Sequence, residues 1–149
     1  MKKMVGIMCL LLLGFSPMAQ DVNDIIGVWF TQDNDSKITI AKDDNGEAFG
    51  TITWIKEVHA DGGQMPLDVN NPDETLRDKP LLGRRILNGF EYNQSRNRWQ
   101  KGTIYDPTTG KTHKCQMWIE DDLNILIVRG YVGISLIGRQ VEWTRDLAE

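Results

Sequence analysis

Thr112-His113-Lys114-Cys115-Gln116-Met117-Trp118 is the stretch on which the fold turns. It is extended in character, yet its side chains are of middling polarity on both faces instead of strictly apolar on one and polar on the other. A wall that encloses a cavity suits such a mixed inner face better than the dry interface of a sandwich does. Outward from this stretch, short β-rich runs recur with Gly, Asp, Asn and Pro between them, and no long helical periodicity interrupts them. Eight runs are expected as strands: Ile26 to Gln32, Lys37 to Lys42, Ala48 to Val58, Arg85 to Asn93, Arg98 to Tyr105, Thr112 to Glu120, Asn124 to Tyr131 and Arg139 to Arg145. The links Asp43-Asp44-Asn45-Gly46, Asn93-Gln94-Ser95-Arg96-Asn97, Asp106-Pro107-Thr108-Thr109-Gly110 and Glu120-Asp121-Asp122 carry turn chemistry. Hairpin-linked strands with a mixed interior predict an all-β, up-and-down, eight-stranded antiparallel barrel, with a two-sheet sandwich as the alternative.

The first 19 residues differ in kind from the rest, holding four of the six Met, one of the two Cys and no acid. Met1-Lys2-Lys3 gives a basic start, Ile7 to Leu13 an apolar run and Ser16-Pro17-Met18-Ala19 a small-residue exit, the pattern of a secretory signal peptide. The expectation is an exported protein, periplasmic or extracellular, with residues 1–19 removed and residues 20–149 forming one domain. The apolar run is well short of the roughly 20 residues that span a bilayer. Without Lys2 and Lys3 the chain has 15 basic and 21 acidic side chains, a net charge of minus 6. Such a chain is a poor nucleic-acid partner. Loss of Cys9 leaves Cys115 without an intramolecular partner, so burial of the five Trp must hold the fold. Cys115 reads as a small buried apolar residue. Pairing it with His113 as a metal site is the weaker reading, because zinc wants three or four ligands and the other histidine, His59, is distant.

The connection from Glu57 to Arg84 is too long for a tight turn, and loops of that length are usually functional. Asn71-Pro72-Asp73-Glu74 offers a capping residue, a proline at the first helical position and an acid soon after, predicting one short helix that reaches about Arg77 and stops at Asp78-Lys79-Pro80. Asp68, Asn70, Asn71 and Asp73 resemble a calcium loop only loosely, since the required Gly and closing Glu are missing; no metal or cofactor is expected. Alternate links of an up-and-down barrel share an end. Gln32 to Ser36, Glu57 to Arg84, Asp106 to Lys111 and Tyr131 to Gly138 therefore form one rim, where small barrels open. The ligand-binding candidates on it are Arg84, Tyr105, Asp106, Tyr131, Asn70 and Asn71. Each also has an ordinary structural reading, with Asp106 capping its own turn and Arg84 pairing with a nearby acid. Within Tyr131 to Gly138, the residues Val132, Ile134, Leu136 and Ile137 are unusually apolar for a loop, and a lid over the barrel end is expected ahead of an exposed partner patch.

Gly27-Val28-Trp29, Asp68-Val69-Asn70-Asn71-Pro72-Asp73, Arg77-Asp78-Lys79-Pro80-Leu81-Leu82-Gly83, Gly102-Thr103-Ile104-Tyr105-Asp106-Pro107, Arg129-Gly130-Tyr131-Val132-Gly133 and Trp143-Thr144-Arg145 occur in this order after the leader. Together they closely resemble the domain of unknown function 2147 family of exported bacterial proteins, across essentially the whole mature chain. The resemblance implies a lipocalin-like (calycin) barrel and no established activity. Barrels of that type carry Gly-x-Trp on the first strand, with the indole packed against an arginine from the last. Gly27, Trp29 and Arg145 match this structural signature.

Three functions follow. The first is an exported protein that binds a small hydrophobic or amphipathic molecule, with Arg84, Tyr105 and Tyr131 as polar anchors. The second is a cell-envelope interaction module using the 131–138 loop, with no partner named by the sequence. The third is a hydrolase or isomerase at the rim. No catalytic residue is assigned, because Gly133-Ile134-Ser135-Leu136-Ile137-Gly138 is one residue too long for a nucleophile elbow and no histidine pair has metal spacing. Arg84, Arg85, Arg129 and Arg139 at strand ends predict a locally basic mouth on an acidic protein, suited to one negative group on an apolar body.

Overall fold

The computed structural model describes residues 21–60, 62–131 and 138–148. Eight antiparallel strands, β1 (Gly27–Phe30), β2 (Ser36–Lys42), β3 (Ala48–Ile55), β4 (Arg85–Asn93), β5 (Arg98–Asp106), β6 (Lys111–Ile119), β7 (Ile125–Tyr131) and β8 (Gly138–Arg145), close into a barrel in sequence order. The expected leader and the lid segment 132–137 lie outside the described residues. Two expectations need correction. β3 ends at Ile55, not Val58, because residues Glu57–His59 form a 3-10 turn in which His59 Nδ1 lies 2.8 Å from the Ile55 carbonyl and the His59 ring stacks on Trp54. The helix of the long connection shrinks to a second 3-10 turn, Glu74–Leu76, capped by Asp73. The Asp73 carboxylate accepts from the Thr75 amide, while Asn71 accepts from the Asp73 amide one step earlier, so the two acceptors divide the capping work.

Strand alternation sorts side chains between the core and the outer wall. On β6 the inward row is His113, Cys115, Met117 and Ile119, and it meets Leu126 and Val128 of β7 through the pairs Ile119↔Leu126 and Met117↔Val128. Trp29, Ile38, Ile40, Leu87, Phe90, Trp99, Met117 and Leu126 fill the core around that row. Each such burial is worth about 1.5–3 kcal/mol. The stretch that suggested a cavity wall is thus mixed for two reasons: its lower half packs the core and its upper half faces open space. Cys115 is buried, and burial pushes its thiol up to about 12, so it behaves as an apolar group.

A bulge in β5 shapes this core. Trp99 lies opposite Met117 and Gly102 opposite Cys115, so β5 spends one residue more than β6, with Lys101 at φ 64°. Gly102 is thereby laid against the Phe90 ring, where a Cβ would come within 2.4 Å of ring carbon. The closed end is sealed by Trp29, whose indole Nε1 donates to the Ile25 carbonyl at 2.8 Å. Arg145 lies 4.1 Å over the Trp29 ring and donates to the carbonyls of Ile26, Leu123 and Asp24. Gly27 makes room for it, since φ is +136° and a Cβ there would sit 3.1 Å from the guanidinium. The β7–β8 ladder runs from Ile125↔Thr144 to Tyr131↔Gly138, whereas among the described residues β1 meets β8 at Trp29↔Arg145 and Phe30↔Thr144 alone.

Candidate functional site

The β1–β2, β3–β4 and β5–β6 links, the end of β7 and the start of β8 share the end of the barrel opposite Trp29, because the strands alternate in direction around the closed sheet. A cavity of about 410 Å³ opens there. Ile86, Ile104, Val128, Val141 and Trp143 form much of its wall, with His113 and Arg139 as the polar groups among them. Thr31, Gln32, Asp33, Asp106 and Pro107 stand at its mouth. Trp143 belongs to the buried core and pairs with Leu126, so it bounds the cavity on the packed side. Gly130 completes the wall between His113 and Arg139; among the described residues a Cβ there would meet the Ile104 methyl at 3.5 Å, an ordinary contact.

The residues expected at the site are brought to the same rim and then divided. Tyr105 and Asp106 border the cavity. The Tyr105 hydroxyl, however, donates to Asp68 Oδ1 at 2.5 Å, and Asp68 Oδ2 receives Asn71 Nδ2 at 2.7 Å and Arg84 at 3.0 Å. Asp68 is completely buried. It is the hub that fastens the long 56–84 connection to the barrel. Burial, together with the adjoining carboxylate, pushes the Tyr105 phenol up to about 12, so it stays a donor at neutral pH. Asn70 secures the same connection at a second point by donating to the carbonyls of Pro107 (3.2 Å) and Thr108 (2.9 Å). Gly110 is required below it, because a Cβ would lie 1.9 Å from the Asn70 carbonyl. Asp106 caps its own turn, accepting from the Thr108 amide and the Thr109 hydroxyl. Tyr131 lies on the outer wall opposite Lys114, with the Arg129 guanidinium 5.3 Å from its ring.

The four arginines expected at the mouth likewise separate. Arg84 is spent on Asp68, Arg85 stacks 3.6 Å over Phe49, and Arg129 is against Tyr131, which leaves Arg139 lining the cavity. Arg139 was expected at the mouth, whereas His113 in the cavity wall and the hub role of Asp68 were not expected. Strand parity could have found His113, which shares the inward register of Cys115 and Met117, and it sets Arg139 apart from the other arginines by giving it the register of Val141 and Trp143. With its oxygens committed to Tyr105, Asn71 and Arg84, Asp68 is poorly placed to act as a general base. Among the described residues no helix is long and apolar enough to cross a membrane.

The barrel is similar to a solved structure, the protein HP1028 from Helicobacter pylori, described as belonging to the lipocalin family. The TM-score is 0.66 at 20% identity, over 81% of this chain and 82% of that one. No curated protein matches the sequence. A sequence model described as "Uncharacterized protein conserved in bacteria (DUF2147)" matches residues 27–145, which run from the glycine beside the sealing tryptophan to the arginine stacked upon it. The chain therefore belongs to the domain of unknown function 2147 family, in a lipocalin-like form.

Proposed function

We propose that the protein is an exported carrier that binds a small, partly apolar molecule in the rim cavity, the molecule bearing one negative group. The cavity carries this reading. Its volume of about 410 Å³ falls in the range of small-molecule sites, and its wall is mostly aliphatic and aromatic with few polar groups. The barrel's own aromatics do not fill it, since Trp29, Phe90 and Trp99 pack the interior below. Export is supported by the leader-like composition of residues 1–19. The roles expected for Tyr105 and Arg84 shift in this reading from touching ligand to holding the rim in shape. Native mass spectrometry of protein purified from its own cells, paired with displacement of a neutral environment-sensitive dye, tests the proposal. A bound small molecule that releases on denaturation, and saturable dye binding, are expected. A protein that takes up neither in any condition would end the carrier reading.

A further inference from the structure

We infer that the ligand's anionic head is held by Arg139 at a slot in the side of the barrel, between β8 and the β1–β2 turn, with its apolar body lying inward along β8. This rests on the carrier reading above. The slot follows from unequal strand lengths. β1 ends at Phe30, and the chain turns away at once, with the Thr31 amide donating to the Ser36 carbonyl and the Thr31 hydroxyl to Asp35. β8 runs on from Trp143 back to Gly138, laddered to β7 throughout, but on its β1 side no described strand pairs with it there. The cavity is lined by both lips of this gap: Thr31, Gln32 and Asp33 from the turn, and Arg139, Val141 and Trp143 from β8. A closed barrel has no strand edge, and this one keeps a short length of edge beside its cavity.

The charges at the slot select the head group. Arg139 forms no ion pair among the described residues, while Arg84, the other guanidinium nearest the rim, is committed to Asp68. Of the acids bordering the cavity, Asp106 is tied up in its turn and Asp33 stands on the opposite lip. An anion is thus attracted to the β8 lip and repelled from the other. His113 lies on the inner face, across Gly130 from Arg139, and adds a hydrogen-bonding group. Below the lip, Val141 and Trp143 continue the same inward row. The four-residue step from Arg139 to Trp143 spans about 13 Å of apolar wall. An alkyl carboxylate or an alkyl phosphate has the chemistry required, a compact monoanionic or dianionic head on an unbranched tail.

Decanoate, decyl phosphate and decanol, titrated by displacement of a neutral dye, test this in the wild-type protein and in Arg139→Gln, Arg85→Gln and Asp33→Asn. Wild type is expected to bind decanoate about tenfold more tightly than decanol, the scale of a charge-assisted hydrogen-bonded contact. Arg139→Gln should erase that preference and leave decanol unchanged. Arg85→Gln, on the outer wall, should keep the preference, and Asp33→Asn should tighten both anions. A larger gain for decyl phosphate than for decanoate identifies phosphate as the preferred head. Gln32→Trp, which adds bulk to the lip, should slow association of all three probes. A preference for decanoate that survives Arg139→Gln, decanoate binding weakened by Asp33→Asn, or unchanged association rates in Gln32→Trp would overturn the inference. Equal affinity of wild type for decanoate and decanol would overturn it, together with the negative group assigned to the ligand, while leaving small-molecule carriage in the cavity intact. Failure of every probe to bind wild type would remove both.

Discussion

Each end of the barrel holds an arginine, and the two ends hold it differently. At the closed end Arg145 lies on the Trp29 ring and gives its donors to the carbonyls of Asp24 and Ile26, just before β1, and of Leu123, in the β6–β7 turn; burial holds its pKa below the ordinary guanidinium value. At the open end Arg84 answers to one carboxylate, Asp68, shared with Tyr105 and Asn71, and its Nε is buried without a hydrogen-bond partner among the described residues. Carbonyls in the short turns that lead straight into β1 and β7 cannot be withdrawn without disturbing those strands. A carboxylate on a connection can. The closed end is therefore built for permanence, and the open end is a cavity whose rim is kept in shape by a local, separable polar hub.

That contrast can be broken by substitution at each end. Trp29→Ala should be the most damaging change, lowering stability by about 3–5 kcal/mol in urea unfolding, because a fully buried ring leaves a void the sheet cannot close. Asp68→Asn should cost about 3 kcal/mol by leaving Arg84 without its counter-charge. Its distinguishing sign is local, with protease cutting rising within residues 57–84 while the near-UV signal of the tryptophan core persists. A core lost together with the connection would show that the two ends are one cooperative unit. Gly102→Ala should destabilise by about 2 kcal/mol, since the added carbon meets the Phe90 ring and backbone must yield. Tyr105→Phe should cost about 1.5 kcal/mol near neutral pH, the scale of a hydrogen bond to a charged group.

Tyr105 also sharpens the comparison through pH. Its phenol ionises at its ordinary 10.0 in the unfolded chain and at about 12 in the barrel. The stability it supplies is therefore complete below pH 10 and is lost as pH rises towards 12. Unfolding measured across that window should fall less steeply in Tyr105→Phe than in wild type. Identical alkaline limbs would mean that the phenol is not held as the hub requires.

The barrel was legible in the sequence because its signals are local: β-rich runs of seven to nine residues with mixed faces, turn chemistry between the runs, and a Gly-x-Trp paired with an arginine at the far end. The rim was legible as a place, since chain direction alone sorts the links. Roles within the rim were not. Tyr105 meets Asp68 across 37 positions, a separation on which periodicity says nothing, and the partner taken by Arg84 depends on how the long connection folds back. Strand ends were blurred where composition stays β-like past the last pair, as in Lys56-Glu57-Val58, whose backbone coils into a 3-10 turn beside Trp54. The bulge at Lys101 is likewise silent, because a lysine carries none of the usual markers of positive φ.

The short β1–β8 ladder has a further consequence, in the order of assembly. Every other ladder joins neighbours in the chain, so β1 through β8 can form as a meander of hairpins, but Trp29↔Arg145 and Phe30↔Thr144 join the two ends of the domain. Loop-closure entropy places such pairs late. Substitutions at Trp29 or Arg145 should then leave the refolding rate nearly unchanged and act on the unfolding rate, so that the arginine and its indole serve as the clasp governing how long a finished barrel stays shut.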